Sequence, residues 1–99
     1  MPVARISFAE SALCDLAGIQ ACYGEEGVPE VGDCFVSEIS ERVETLAEHP
    51  DSGRSVPEFG QPFLRELIRP PFRIVYRREP RRVRIVPVWR RERLLRLPP

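Results

Sequence analysis

At 99 residues, 42% apolar and 30% charged, the chain has the make-up of one soluble globular domain over residues 1–99, large enough for a single core and too small for two. No apolar run approaches the ~20 residues of a membrane-spanning helix, and the opening MPVARISFAE lacks the apolar centre of a secretory signal, so a cytoplasmic protein with no membrane partner is expected. A formal net charge of +0 hides a division: residues 1–61 carry three Arg against twelve acids, a balance of −9, while residues 62–99 carry twelve Arg against three acids, a balance of +9.

In chain order, Val3 to Phe8 alternates, with Ala4, Ile6 and Phe8 on one side and Val3, Arg5 and Ser7 on the other, the period of a half-buried strand. From about Ala9 to Tyr23 the period lengthens to that of a helix, with Leu13, Leu16, Ala17, Gln20 and Tyr23 on its inner face and Gly24 as its stop. Glu25 to Gly32 reads as a turn. A second helix is predicted from about Asp33 to His49, with Phe35, Ile39, Val43 and Leu46 as its apolar stripe and Pro50 beyond its end. Glu38, Glu41, Glu44 and Glu48 lie off that stripe and read as a solvated face. Residues 50–62, with two glycines and three prolines, read as an irregular connection.

Three strands follow, Phe63–Ile68, Phe72–Arg78 and Val83–Trp89, separated by short breaks at Arg69-Pro70-Pro71 and Glu79–Arg82 that make them antiparallel neighbours. Pro87 lacks a ladder donor and belongs on an edge or at a bulge. The order strand, helical hairpin, three-stranded antiparallel meander predicts an α+β domain with the hairpin packed on one face of the sheet and arginines on the other.

A segregated basic surface points to an anionic polymer or an acidic protein segment as partner. Because every basic residue but His49 is Arg, that surface can grip carboxylates and phosphates but is poorly equipped to move protons. Cys14, Cys22 and Cys34 are odd in number with no CxxC spacing, and His49 is the lone histidine, so no metal site, no cofactor and no disulfide framework is expected. The cysteines read as reduced packing residues on helices. His49, beside Pro50, reads as a capping or surface residue.

The ordered segments Gly53-Arg54-Ser55-Val56-Pro57-Glu58, Leu64-Arg65-Glu66-Leu67, Phe72-Arg73-Ile74-Val75-Tyr76-Arg77 and Val88-Trp89-Arg90-Arg91, with Asp15-Leu16 in the first helix, resemble the RelE/ParE superfamily of bacterial type II toxins. The resemblance covers nearly the whole chain. It implies one of two activities: RelE-like members cut messenger RNA on the ribosome, and ParE-like members poison DNA gyrase. Both are implied to be held inactive by a cognate antitoxin, ParD-like in the second case, within a toxin–antitoxin hetero-oligomer.

The residues favour the second branch. Cleavage by the RNA's own 2′-OH needs a proton acceptor, a proton donor and cations on the phosphate. The resemblance places Arg73 and Arg91 as the phosphate-stabilising arginines of an endoribonuclease. The lysines and the tyrosine near the C-terminus that such enzymes use are missing, and Tyr76 reads as a packing residue. A ParE-like toxin is a binding module that arrests growth by inhibiting gyrase, and Trp89, Arg90, Arg91 and Arg93 suit such a contact because Trp and Arg dominate interface hot spots. Candidates for the antitoxin-facing basic surface are Arg65, Arg73, Arg77 and Arg84. A third reading, a non-catalytic nucleic-acid-binding domain, is weakened by the scarcity of aromatic stacking platforms among the arginines.

Overall fold

The alternating, arginine-rich second half of the chain builds most of a sheet, and the first half supplies the helices that cover it. A computed structural model describes residues 4–56, 60–61 and 63–90. Its elements are strand β1 (Arg5–Phe8), helix α1 (Glu10–Glu25), helix α2 (Pro29–Glu44), a 3-10 turn at Thr45–Ala47, and strands β2 (Arg54–Ser55), β3 (Leu64–Arg69), β4 (Phe72–Glu79) and β5 (Arg82–Arg90). The five strands form one mixed sheet in the order β1-β5-β4-β3-β2, with β1 parallel to β5 and the other pairs antiparallel. The helical hairpin and three-stranded meander stand as the sequence predicts.

Four details differ. The second helix runs from Pro29 to Glu44, starting ahead of the expected Asp33 and giving way to the 3-10 turn before the expected His49; it can start early because proline at the first helical position gives up only an amide that would have no intrahelical partner. The hairpin turn is correspondingly tight: Gly27 takes φ 82, the left-handed conformation glycine adopts freely, and the Val28 N–H donates to Tyr23 O at 2.9 Å. The inner face of α1 is rotated from the expected one. Ala12 is buried and Leu16, Ile19 and Tyr23 pack against the core, whereas Leu13 is 53% exposed and Ala17 and Gln20 are exposed. Residues 54–55, expected to be irregular, form an edge strand opposite Glu66 and Arg65. Finally, Cys14, Cys22 and Cys34 are free and helix-borne but exposed, so they are not packing residues.

The core lies between hairpin and sheet. Ile39, Val43 and Leu46 from the α2 side meet Phe72, Ile74, Tyr76, Val83, Ile85 and Val88 from β4 and β5. The register steps from Ile74↔Val88 to Tyr76↔Ile85, so Val86 and Pro87 share the space opposite Val75 and Pro87 sits in a β-bulge, a place that needs no ladder donor. At the bulge and just after it, α1 supplies partners for β5: Ser11 Oγ donates to Val86 O at 3.1 Å and the Val88 N–H donates to Asp15 Oδ2 at 3.0 Å. Asp15 therefore fixes the seam between helix and strand. Among the described residues no helix is long and apolar enough to cross a membrane.

Candidate functional site

Strand alternation divides the arginines between two faces. Arg65, Arg69, Arg78 and Arg90 share the helix-side face with Leu67, Ile74 and Tyr76, while Arg54, Arg73, Arg77, Arg82 and Arg84 share the distal face with Glu66, Val75 and Trp89. Arg5 and Ser7 of β1 stand beside Arg82 and Arg84 on that distal face. The expectation that the sheet leaves one face to arginine holds for about half of them.

The helix-side arginines join the acidic half of the chain to the basic half. Arg69 Nε donates to Glu38 Oε2 at 2.7 Å and its guanidinium lies 5.2 Å over the Phe35 ring. Glu38 is thus a partner of the sheet, not a purely solvated residue of the outer helix face. Arg78 Nε donates to Asp51 Oδ1 at 3.0 Å, and Arg65 donates to Gly53 O at 2.8 Å while lying 3.8 Å from the same Asp51 carboxylate. Arg90 lies 5.7 Å over the Phe72 ring and donates to the Tyr23 hydroxyl at 3.1 Å.

The distal face has a buried ionic centre. Glu66 has no exposed side-chain surface, and its two oxygens are shared: Oε2 accepts from Arg54 Nε at 2.6 Å and Oε1 accepts from Arg73 Nε at 2.6 Å, with Arg73 Nη2 also bonded to it. Arg73 keeps only 9% of its side-chain surface exposed and Arg54 keeps 60%. One carboxylate held by two guanidinium groups satisfies the burial of charge by pairing. Val56 and Val75, each 1% exposed, are buried outside the main core cluster, and Val75 stands opposite Glu66.

Tyr76 closes the other side of the 50–53 segment. Its hydroxyl donates to Pro50 O at 2.8 Å and accepts from the Gly53 N–H at 2.9 Å. Burial raises its pKa above the ordinary 10.0, against the opposing pull of the Gly53 hydrogen bond and of Arg65. Gly53 is required here, since a Cβ would stand 2.6 Å from the Tyr76 hydroxyl and 2.7 Å from Glu66 O. Tyr76 is a packing residue, as its sequence context suggested.

The structure therefore separates the residues that the sequence groups together. Of the antitoxin-surface candidates, Arg73, Arg77 and Arg84 share the distal face, Arg73 inside its ion pair; Arg65 lies on the helix side, tied to the 51–53 backbone. Arg77 is exposed, stacks 4.9 Å over the Phe63 ring and lies 3.6 Å from Glu79. Of the target-contact candidates, Trp89 is half-buried opposite Arg73 and Arg90 points to the helices; Arg91 and Arg93 lie outside the described residues, as does Arg91 in its role as a phosphate-stabilising candidate. His49 is exposed just past the 3-10 turn. Glu66 is the residue that sequence reasoning passed over. Its one signal is an acid in an arginine-rich strand, at a position that alternation points away from the core.

Two helices over a five-stranded mixed sheet are the α+β arrangement expected of RelE/ParE-type toxins. The family model for the ParE toxin of type II toxin-antitoxin systems, parDE, matches residues 6–95, and the chain belongs to that family. Among solved structures, one described as "Chromosomal ParDE TA system from P. aeruginosa" is similar with a TM-score of 0.73 and 26% sequence identity, covering 89% of this chain and 96% of that chain. No curated protein sequence matches the chain.

Proposed function

We propose that this ParE-family toxin arrests bacterial growth in the cytoplasm by binding DNA gyrase, without cleaving RNA, and that a ParD-like antitoxin neutralises it in a hetero-oligomer. The observation that carries the non-catalytic part is the Glu66 clamp: Arg73, the arginine that an RNA-cleaving relative would aim at a phosphate, is buried in an ion pair. A guanidinium committed to a carboxylate cannot also steady charge growing on a phosphate without first breaking that pair. Tyr76 is withdrawn from proton transfer in the same way, because both of its hydrogen bonds are spent on the 50–53 backbone. A binding mechanism calls for no cofactor and no metal.

Gyrase as target rests on the ParE family, and the antitoxin is supported by the ParDE pair named for the P. aeruginosa relative. The target contact is placed on the end of β5 and the residues after it, Trp89, Arg90, Arg91 and Arg93. Purified toxin is expected to inhibit supercoiling by gyrase, and the Arg91→Glu, Arg93→Glu double variant to stay folded and lose both inhibition and growth arrest. Gyrase left untouched at every toxin concentration, together with codon-phased cuts in translated messages that disappear in Arg73→Ala, Arg91→Ala, would replace this reading with the endoribonuclease one.

A further inference from the structure

Seven of the described arginines, Arg54, Arg65, Arg69, Arg73, Arg77, Arg78 and Arg82, have acidic partners within the chain. Arg5, Arg42, Arg81 and Arg84 have none among the described residues; Arg42 stands alone near the end of α2, and the other three lie at one corner, where Arg5 pairs in register with Arg82, Ser7 with Arg84, and the Arg5 N–H donates to Arg81 O at 3.0 Å. At that corner an open recess of about 830 Å³ is lined by Arg5, Arg78 and Arg81 together with alanine and proline, among them Ala4, Pro50 and Pro80. It lies beside the start of β5, roughly 25 Å along the strand from Arg90 at ~3.3 Å per residue, and so apart from the proposed target contact.

We infer that this recess is a docking site for an acidic peptide segment that carries an apolar side chain. Of the three arginines that line the recess, Arg78 is paired with Asp51, while Arg5 and Arg81 have no acidic partner among the described residues; guanidinium forks of that kind favour carboxylates in bidentate geometry. The alanine and proline walls offer no hydrogen bonds and are filled by an aliphatic side chain. Nucleic acid fits less well, because no aromatic ring lines the recess to stack a base and no amide or hydroxyl side chain lines it to read one. A strip of charge with an apolar anchor beside it suits a disordered segment that orders on binding, where burial and ion pairing offset the entropy lost. The antitoxin reading supplies a natural source of such a segment, and the site deepens that reading without depending on gyrase as the target.

The test uses the full-length toxin and a fluorescein-labelled synthetic peptide of alternating Glu and Leu, followed by anisotropy. Arg5→Glu with Arg81→Glu, both exposed positions, is expected to weaken binding at least about tenfold, since charge reversal at an interface brings like charges together. Arg42→Glu, an exposed arginine on α2, is expected to leave binding within about twofold, the level of general charge screening. Replacing Leu by Ser in the peptide should also weaken binding. Equal binding by wild type and the Arg5, Arg81 variant overturns the site, as does a single-stranded oligonucleotide that displaces the peptide more effectively than the unlabelled peptide itself. Co-expression with the protein encoded beside the toxin is the separate check on the antitoxin reading. Neutralisation that survives in the Arg5, Arg81 variant keeps the antitoxin and rejects this recess as its docking site.

Discussion

The two faces of β4 are built from one alternating run and solve burial in opposite ways. On the helix side Phe72, Ile74 and Tyr76 are each at most 1% exposed in an apolar core, with the Tyr76 hydroxyl bonded at its margin. On the distal side Arg73 and Val75 are nearly as buried, yet the partner that Arg73 holds there is the Glu66 carboxylate, which stands opposite Val75. Apolar burial is non-directional and stabilises in proportion to area. Ionic burial offsets a large desolvation cost only when every charge is paired. The helix side should therefore tolerate change in proportion to volume lost, and the distal side should be all-or-none.

The sharpest break in that comparison is Glu66→Ala. It leaves the Arg73 guanidinium buried without its carboxylate and is expected to cost about 3–5 kcal/mol, the usual cost of removing one partner of a buried pair. The double variant Glu66→Leu, Arg73→Met removes the pair together and is expected to return stability close to wild type, with Arg54 free to turn into solvent. Urea midpoints for the two proteins check this. A double variant as unstable as Glu66→Ala would show that the pair, beyond mutual neutralisation, is needed to shape the sheet.

Next in size is Gly53→Ala, where the two faces meet the same backbone segment. The new Cβ meets the Tyr76 hydroxyl from one side and the Glu66 carbonyl from the other. An overpacking cost of about 1–3 kcal/mol is expected, read as a lowered urea midpoint. A neutral result would mean that the 50–53 segment can move away from β3 and β4 without loss.

How far the sequence led is visible in these same residues. Period and turn chemistry placed both helices and all three long strands to within a few positions, because apolar spacing and proline breaks are local signals. The phase of α1 is ambiguous in the sequence because Leu13, Ala17 and Ala21 make that helix apolar on more than one side, and tertiary contacts decide it: buried Ala12 and the bonds of Ser11 to Val86 and of Val88 to Asp15 mark the side that faces in. The sequence separates −9 from +9, but it does not reveal that Glu38 and Asp51 reach across to Arg69 and Arg78. Ion pairing between distant segments depends on tertiary geometry. A large share of the apparent basic surface is for that reason internal wiring. The candidate site was legible as a composition, arginine with one Trp, and not as a place.

Smaller effects are expected at Tyr76. Tyr76→Phe strips the Gly53 N–H of its acceptor and Pro50 O of its donor, at about 1–2 kcal/mol for an unsatisfied buried group. The pH dependence carries a sign. Burial raises the folded-state pKa of this hydroxyl above 10.0, so the unfolded chain ionises first and the folded chain keeps its proton. The stability that Tyr76 contributes is full below about pH 10 and falls as pH climbs from there through the folded value. Urea midpoints measured from neutral to strongly alkaline pH should fall less steeply above about pH 10 in Tyr76→Phe than in wild type. Parallel curves would mean that the hydroxyl ionises alike in both states.

The smallest expected effect has the opposite sign. Arg77 and Arg84 stand directly opposite each other on the distal face of β4 and β5, and like charges in that relation are destabilising. Arg77 has Glu79 at 3.6 Å, whereas Arg84 has no acidic partner among the described residues. Arg84→Gln keeps a long polar side chain and removes the repulsion, so it is expected to stabilise the protein by a few tenths of a kcal/mol, up to about 0.5. The gain should shrink as salt rises and screens the pair. A stabilised protein that binds its acidic partner less tightly would mean that Arg84 is kept at a cost to the free toxin because a partner supplies its counter-ion. A destabilised Arg84→Gln protein would instead place Arg84 in the same internal wiring as Arg69 and Arg78, and would remove it from the strip of charge at the β1 corner.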